Sequence, residues 1–349
     1  MTGLSQRLRQ ALREAGHGWA DSVFHPLPDK GLAHDHLRIV GAGALARIPK
    51  QSQLGLPAQQ NLDYQIACFE RAAAGGHAPR LLGWLPPSRW LPRGALLVEE
   101  IVGRPARLPA DLPAIVRALA ALHLLPLPTP AQRPPLHDAP DPLLALLKEV
   151  QQQALHLDAA VLAPAACLAI GREFERLHSA CALAGRPPLQ LIAFDGHPGN
   201  FIVRGDGEAV LVDLEKCRYS YPGLDLAHAT LYTSTTWDIE SQAVLSLPEV
   251  VSAYRGWEQA MGAAAALARA WHLPLRRAMW LWSISWCAKW RVLSDAPRQA
   301  GADGEDWSSA HSDAALVNHV RNRVDHYLSA PVVASVVADF DALDRALAA

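Results

Sequence analysis

Asp195, Asn200 and Asp213 are the residues of this chain whose types and spacing best support chemistry. FIV (201–203) and AVLV (209–212) are apolar runs of β type joined by RGDGE, and the Asp206-Gly207 step in that link is a strong hairpin signal. Pairing the runs brings Asn200 at the entry and Asp213 at the exit to one rim. An amide oxygen and a carboxylate held side by side can share a hard divalent cation, Mg²⁺ above all, with the phosphates of a substrate. Asp195 stands five residues before Asn200 on a loop stiffened by Pro198, close enough to orient a substrate hydroxyl or take its proton.

The elements that must position this group divide the chain in two. Before residue 103 the texture is β-rich. DSVFHPLP (21–28), HLRIV (36–40) and ALARIPK (44–50) read as short strands joined by DKGLAHD and GAG, a pattern that predicts an antiparallel meander. Residues 60–74 carry Leu62, Ile66, Phe69 and Ala73 at helical spacing, and GALLVEE (94–100) is again a strand. From about 110 the pattern turns to long Ala/Leu-rich helices, interrupted by the β-rich island of 191–216. Later helices are expected over 243–260, 262–292, 311–328 and 331–348, and the Gly/Asp/Ser-rich 294–309 is expected to be a mobile loop. The expected domains are therefore 1–102 and 103–349.

Composition removes several classes of function. With 349 residues, half of them apolar, and 19% charged, the chain is a globular protein long enough for two lobes. Lys+Arg 32 against Asp+Glu 34 leaves a net charge of -2, so no basic excess advertises nucleic acid or an anionic membrane. The five cysteines form no CxxC pair and read as reduced packing residues. Leu4, Leu8 and Leu12 make the N-terminus an amphipathic helix among arginines, without the apolar core of a secretory signal. No apolar run has the length of a membrane span, and the expected location is cytoplasmic.

DGHPGNFIV (195–203), VLVDLEK (210–216) and PGLDLAH (222–228) occur in that order at suitable intervals. The series resembles the protein-kinase-like catalytic core and, more closely, the aminoglycoside phosphotransferase and choline kinase families. Their motif runs HGDxHPGN, an apolar hairpin, Asp-aromatic-Glu/Asp, a Pro and DLA. The resemblance implies an α+β, bilobal protein-kinase-like fold with a small β-rich N-lobe that holds the nucleotide and a larger, mainly helical C-lobe that carries the catalytic loop and acceptor site. It implies an ATP- and Mg²⁺-dependent kinase that phosphorylates a hydroxyl of a small molecule. Asp195 looks like the carboxylate that accepts the hydroxyl proton. Asn200 and Asp213 look like metal ligands, with Glu215 a second-metal or ordering group, and Asp225 looks like the structural brace of the catalytic loop.

The same resemblance assigns the nucleotide's contacts. Lys30 and Gly31 lie in the turn that would cover the phosphates, Arg47 is the fitting cation on the third strand with Lys50 behind it, and the backbone from Glu99 through Glu100 to Ile101 would pair with adenine. The acidic partner on the following helix has no clear holder, because the spacing favours Gln65 while Glu70 is the nearest acid. Trp237 and Asp238 are placed for acceptor contact by chain proximity. Ala193 stands where the family usually has a supporting histidine. That departure, with the missing helix acid, motivates the alternative: a catalytically impaired nucleotide-binding pseudokinase acting as scaffold or sensor.

Other motifs weigh less. GAGALA (41–46) matches a dinucleotide fingerprint, but Pro49 denies the helix that would receive a pyrophosphate. His34 and His36, with His197 and His228 as imagined further ligands, suggest a metallohydrolase, yet 15 histidines make a chance HxH pair easy. Trp282, Trp286 and Trp290 at helical spacing could frame a cationic ligand and more readily form a packed helix face.

Overall fold

The computed structural model describes residues 3–28, 31–298 and 301–348. Two compact units emerge, one of residues 1–102 with 293–320 and the other of residues 103–292 with 321–349.

In the first unit α1 (Gly3–Glu14) buries Leu8 and Leu12, four residues apart, against a sheet. Its strands are β1 (Phe24–Pro26), β2 (His34–Ile39) and β3 (Ala44–Pro49), then, beyond α2 (Ala58–Ala73), β4 (Leu81–Leu85) and β5 (Ala95–Glu99). The sheet is antiparallel throughout in the order β1-β2-β3-β5-β4. Leu37 and Ile39 of β2 and Ala44, Ala46 and Ile48 of β3 alternate onto the face that meets α1, so period-two patterning and the four-residue stripe close one core.

Residues 301–309 do not behave as the loose loop their composition suggests. Gly304 carbonyl accepts from Ser52 N–H at 3.1 Å and from Arg93 at 3.0 Å, Asp303 accepts from Ala58 N–H at 2.8 Å, and Asp306 N–H donates to Gln51 at 2.9 Å. Backbone groups that would otherwise face water are paired, and the segment belongs to the first unit.

The second unit opens with β6 (Arg104–Pro105) and α3 (Leu112–His123), followed by α4 (Pro142–Ala154) and α5 (Pro164–Ala182). Then come β7 (Gln190–Ile192), β8 (Phe201–Val203), β9 (Ala209–Leu211) and β10 (Arg218–Ser220), and after them α6 (Gly223–Thr230), α7 (Tyr232–Thr235) and α8 (Leu247–Met261). Helices α9 (His272–Leu293), α10 (Ala314–Tyr327) and α11 (Ala330–Ala348) complete the chain. The predicted helix over 262–292 is shorter than expected. Gly262, at φ +57°, ends α8, and 3-10 turns at Gly262–Ala265 and Arg269–Trp271 precede α9.

Apolar residues of α3 (Leu112, Val116, Ala120) and α8 (Val250, Tyr254, Trp257) share a core with Leu226 of α6 and Leu343 of α11. Burial of this kind is worth roughly 25 cal/mol per Å², and it fixes α3 and α6 as the supports of the catalytic loop. The loop itself is bounded by two small sheets, β10-β7 and β6-β8-β9.

Candidate active site

The predicted hairpin forms: β8 and β9 pair antiparallel with Phe201 opposite Leu211 and Val203 opposite Ala209. Gly207 takes φ +85°, the left-handed conformation that an Asp-Gly turn needs. Val212 N–H donates to the Asn200 carbonyl at 2.9 Å, which carries the ladder to the rim. Asn200 and Asp213 therefore flank one end of the hairpin. Asn200 Nδ2 also donates to the Asp195 carbonyl at 2.9 Å, which turns its Oδ1 away from the loop backbone. Carboxylate oxygens of Asp213 and Glu215 come within 4.8 Å of each other.

Asp195 is ringed by nitrogen. Lys216 Nζ donates to Oδ2 at 2.6 Å, while His228 Nδ1 at 3.6 Å and His197 Nε2 at 4.0 Å face Oδ1. Burial would push this carboxyl's pKa up, but Lys216, His197 and His228 outweigh it and hold the group well below the usual carboxylate range. Lys216 is its mirror image: burial presses the ammonium toward losing its proton, and Asp195, Glu215 and Asp213 keep its pKa raised. The ammonium lies 5.2 Å from the Trp282 ring centroid. The aromatic face considered for a cationic ligand thus receives the chain's own cation, and Trp280 and Trp290 are core.

Beneath the loop, Asp225 accepts the N–H groups of Phe194 (Oδ1) and Ala193 (Oδ2) at 2.7 Å each. His123 Nε2 lies 3.0 Å from Asp225 Oδ2, and Trp257 Nε1 donates to His123 Nδ1 at 2.9 Å. Because Nδ1 accepts there, the ring's hydrogen sits on Nε2 and points at the carboxylate. Gly199 is required by contact, since a Cβ there would stand 2.6 Å from Asp238 Cβ.

The remaining expected site residues lie as follows. Asp238 Oδ1 is spent on its own turn, accepting from Glu240 N–H at 2.9 Å, Ser241 N–H at 3.0 Å and Ser241 Oγ at 3.1 Å. Trp237 packs edge-on against Trp286 at 5.7 Å. In the first unit Arg47 is buried with its guanidinium 5.4 Å from the Phe69 ring centroid. Lys50 Nζ is 3.6 Å from Asp35 Oδ1. Gln65 is buried on α2 and lies 3.1 Å from His34 Nε2, whereas Glu70 is exposed, so the helix presents an amide where an acid was sought. The Glu99 and Glu100 carboxylates pair with Arg80 at 3.1 Å and Arg38 at 2.6 Å, and Ile101 is buried. Lys30 lies outside the described residues. Gly31 adopts no left-handed backbone angle, and an added Cβ would meet nothing within 4 Å, so its backbone places no demand for glycine.

Sequence reasoning missed Lys216, whose Nζ lies 2.6 Å from Asp195 Oδ2, weighed His228 only as an imagined metal ligand, and gave no role to His123. Lys216 directly follows Asp213-Leu214-Glu215, and that adjacency was the available signal.

A small antiparallel sheet with helices α1 and α2 packed on it, followed by a helical unit carrying Asp195, the Asn200–Asp213 hairpin and the Asp225 brace, defines the α+β fold of the protein-kinase-like phosphotransferases. The chain belongs to the phosphotransferase enzyme family, whose model matches residues 37–282. Among solved structures it is similar to a choline/ethanolamine kinase family protein from Mesorhizobium loti (18% identity, 97% of this chain and 99% of that one, TM-score 0.60). Choline kinase from Cryptosporidium parvum is a second (13% identity, 98% and 97%, TM-score 0.59). A third is the GDP complex of aminoglycoside 2'-phosphotransferase-IIIa (14% identity, 92% and 99%, TM-score 0.57). At these identities the likeness shows the fold. No curated protein matches the chain. Among the described residues no helix is long and apolar enough to cross a membrane.

Proposed function

We propose that the protein is an ATP- and Mg²⁺-dependent kinase that phosphorylates a hydroxyl of a small molecule, with residues 1–102 binding the nucleotide and residues 103–349 carrying the catalytic loop and the acceptor site. The observation that carries this reading is the hairpin rim: Asn200 and Asp213 end on one edge while Asn200 ties itself to the Asp195 backbone at 2.9 Å. The donors that the second unit supplies, an amide oxygen and the carboxylates of Asp213 and Glu215, are hard oxygens of the kind that Mg²⁺ takes. When bound, the metal would neutralise phosphate charge.

Asp195 receives the acceptor. Its Oδ2 is held by Lys216, so Oδ1 is the oxygen left to orient an incoming hydroxyl. As the acceptor oxygen bonds to the γ-phosphorus, the bond to the bridging β,γ-oxygen breaks, ADP leaves, and the hydroxyl proton passes to the Asp195 carboxylate. Phosphoryl transfer passes through a loose transition state in which positioning and electrostatics dominate, so the chief task of Asp195 in this reading is to orient the hydroxyl. In the first unit, Gly31 and Arg47 would face the phosphates. The Glu99 and Glu100 N–H groups already donate to Arg80 and Gly43 carbonyls at 2.9 Å, so Ile101 is the residue of this segment that the reading favours for the nucleobase. The GDP-bound relative supports nucleotide use and leaves guanine as a candidate base. Trp237, rather than Asp238, is the acceptor contact this reading keeps.

A coupled ADP-release assay across choline-like, amino-alcohol, sugar and aminoglycoside acceptors tests the proposal. Acceptor-dependent ADP release that needs Mg²⁺ supports it; silence across the panel rejects it. The second reading, a nucleotide-binding protein without turnover, draws on Gln65 in place of an acid and on the Lys216 ion pair at Asp195. Nucleotide-dependent stabilisation with no product would favour that one.

A further inference from the structure

One turn of α6 holds both polar sides of a single peptide segment. Asp225 accepts the N–H groups of Ala193 and Phe194, and three residues on, along the same face of the helix, His228 Nδ1 lies 3.2 Å from the Phe194 carbonyl. A carbonyl can only accept, so Nδ1 carries the hydrogen. The same nitrogen is 3.6 Å from Asp195 Oδ1. The ring is 6% exposed and set edge-on to Trp282, with centroids 6.1 Å apart, so it has little room to turn. Phe194 itself stands at φ +62°, a region that a side chain disfavours, and the direction of its carbonyl decides where the next residue points.

We infer that His228 is a positioning residue for Asp195, holding the Phe194 carbonyl, and with it the peptide that leads into Asp195, in the orientation that aims the carboxylate at an acceptor hydroxyl. The inference rests on the phosphotransfer reading of Asp195. Packing alone would give His228 no preference between replacements of similar bulk. Hydrogen bonding from Nδ1 gives it one, because an asparagine amide nitrogen stands as many bonds from Cα as Nδ1, whereas a glutamine amide nitrogen reaches the place of Nε2.

The test compares His228→Asn with His228→Gln in steady-state ATP turnover and in amide hydrogen exchange. The Gln variant is expected to lose about 10- to 100-fold in kcat, the scale of a misplaced catalytic group, with KM for ATP within about twofold. The Asn variant should recover most of that loss. Exchange at the Phe194 amide should accelerate in the Gln variant and stay slow in the Asn variant, an outcome readable without any turnover. Equal losses in the two variants, a loss confined to KM, or unchanged exchange in both would overturn the inference. A wild-type protein that transfers no phosphate yet shows the exchange difference would count against the phosphotransfer reading alone.

Discussion

Asp225 Oδ1 accepts the Phe194 N–H at 2.7 Å while Phe194 holds a left-handed φ of +62°: a buried carboxylate on α6 stabilises the strained residue that precedes Asp195. Its second oxygen takes Ala193 N–H, and His123, itself hydrogen-bonded by Trp257, completes the shell. The brace therefore joins α6, α3 and α8 to the loop.

Replacing Asp225 by alanine strands two buried backbone N–H groups, each costing about 1–3 kcal/mol. Asp225→Ala is expected to lose roughly 2–5 kcal/mol in urea unfolding, with turnover falling alongside. An Asp225→Ala protein as stable as the wild type would show that the brace is dispensable.

The pH dependence of stability has a definite sign. Burial pushes His228 down from 6.5 to about 4, only partly offset by Asp195. Between those values the unfolded chain binds a proton that the folded chain refuses, so stability falls as pH drops from about 6.5 toward 4, by up to ~1.4 kcal/mol per pH unit for one group. Asp195, held below its ordinary range, adds a further loss below about pH 3.8 with the same sign. His137 and His272 are also lowered by burial and add to the wild-type slope, so the readout is the difference: His228→Asn should flatten the curve between pH 6.5 and 4.

Lys216 and Asp195 should behave as a unit. Removing one member of a buried pair leaves the other uncompensated, at about 3–5 kcal/mol. Lys216→Met and Asp195→Asn are each expected to destabilise, and the double variant to lose less than the sum by about 1–3 kcal/mol. Strict additivity in thermal unfolding would contradict the 2.6 Å ion pair.

Asp213→Asn removes one of the proposed metal carboxylates without shortening the side chain. A rise of at least about tenfold in the Mg²⁺ concentration needed for half-maximal turnover is expected, with the melting temperature in the absence of metal little changed. An unaltered Mg²⁺ titration would remove Asp213 from the metal site.

What could be read from the residues alone was local. The β8–β9 hairpin was legible because Asp206-Gly207 dictates the turn and two apolar runs dictate the register, so the Asn200–Asp213 rim followed. Strands β7 and β10 were not, since three-residue strands paired across a long stretch of chain carry no alternation to detect. Nor was the Lys216 contact, which spans 21 residues and depends on where β10 begins. The Ala-rich run 263–270 has high helix propensity, yet it follows a left-handed Gly262 and forms tight turns instead. The segment 301–309 looked loose by composition because its partners, Gln51, Ser52 and Ala58, lie far off in the chain.

The most direct test of the account is ³¹P NMR of ATP, Mg²⁺ and an accepted hydroxyl compound with the wild-type protein and with Asp195→Ala. The wild type should give ADP and a new phosphate ester in equal amounts. The variant should still bind nucleotide but form the ester at least about 10²-fold more slowly, the scale of a lost proton acceptor. Ester formation at the wild-type rate in Asp195→Ala would contradict the account.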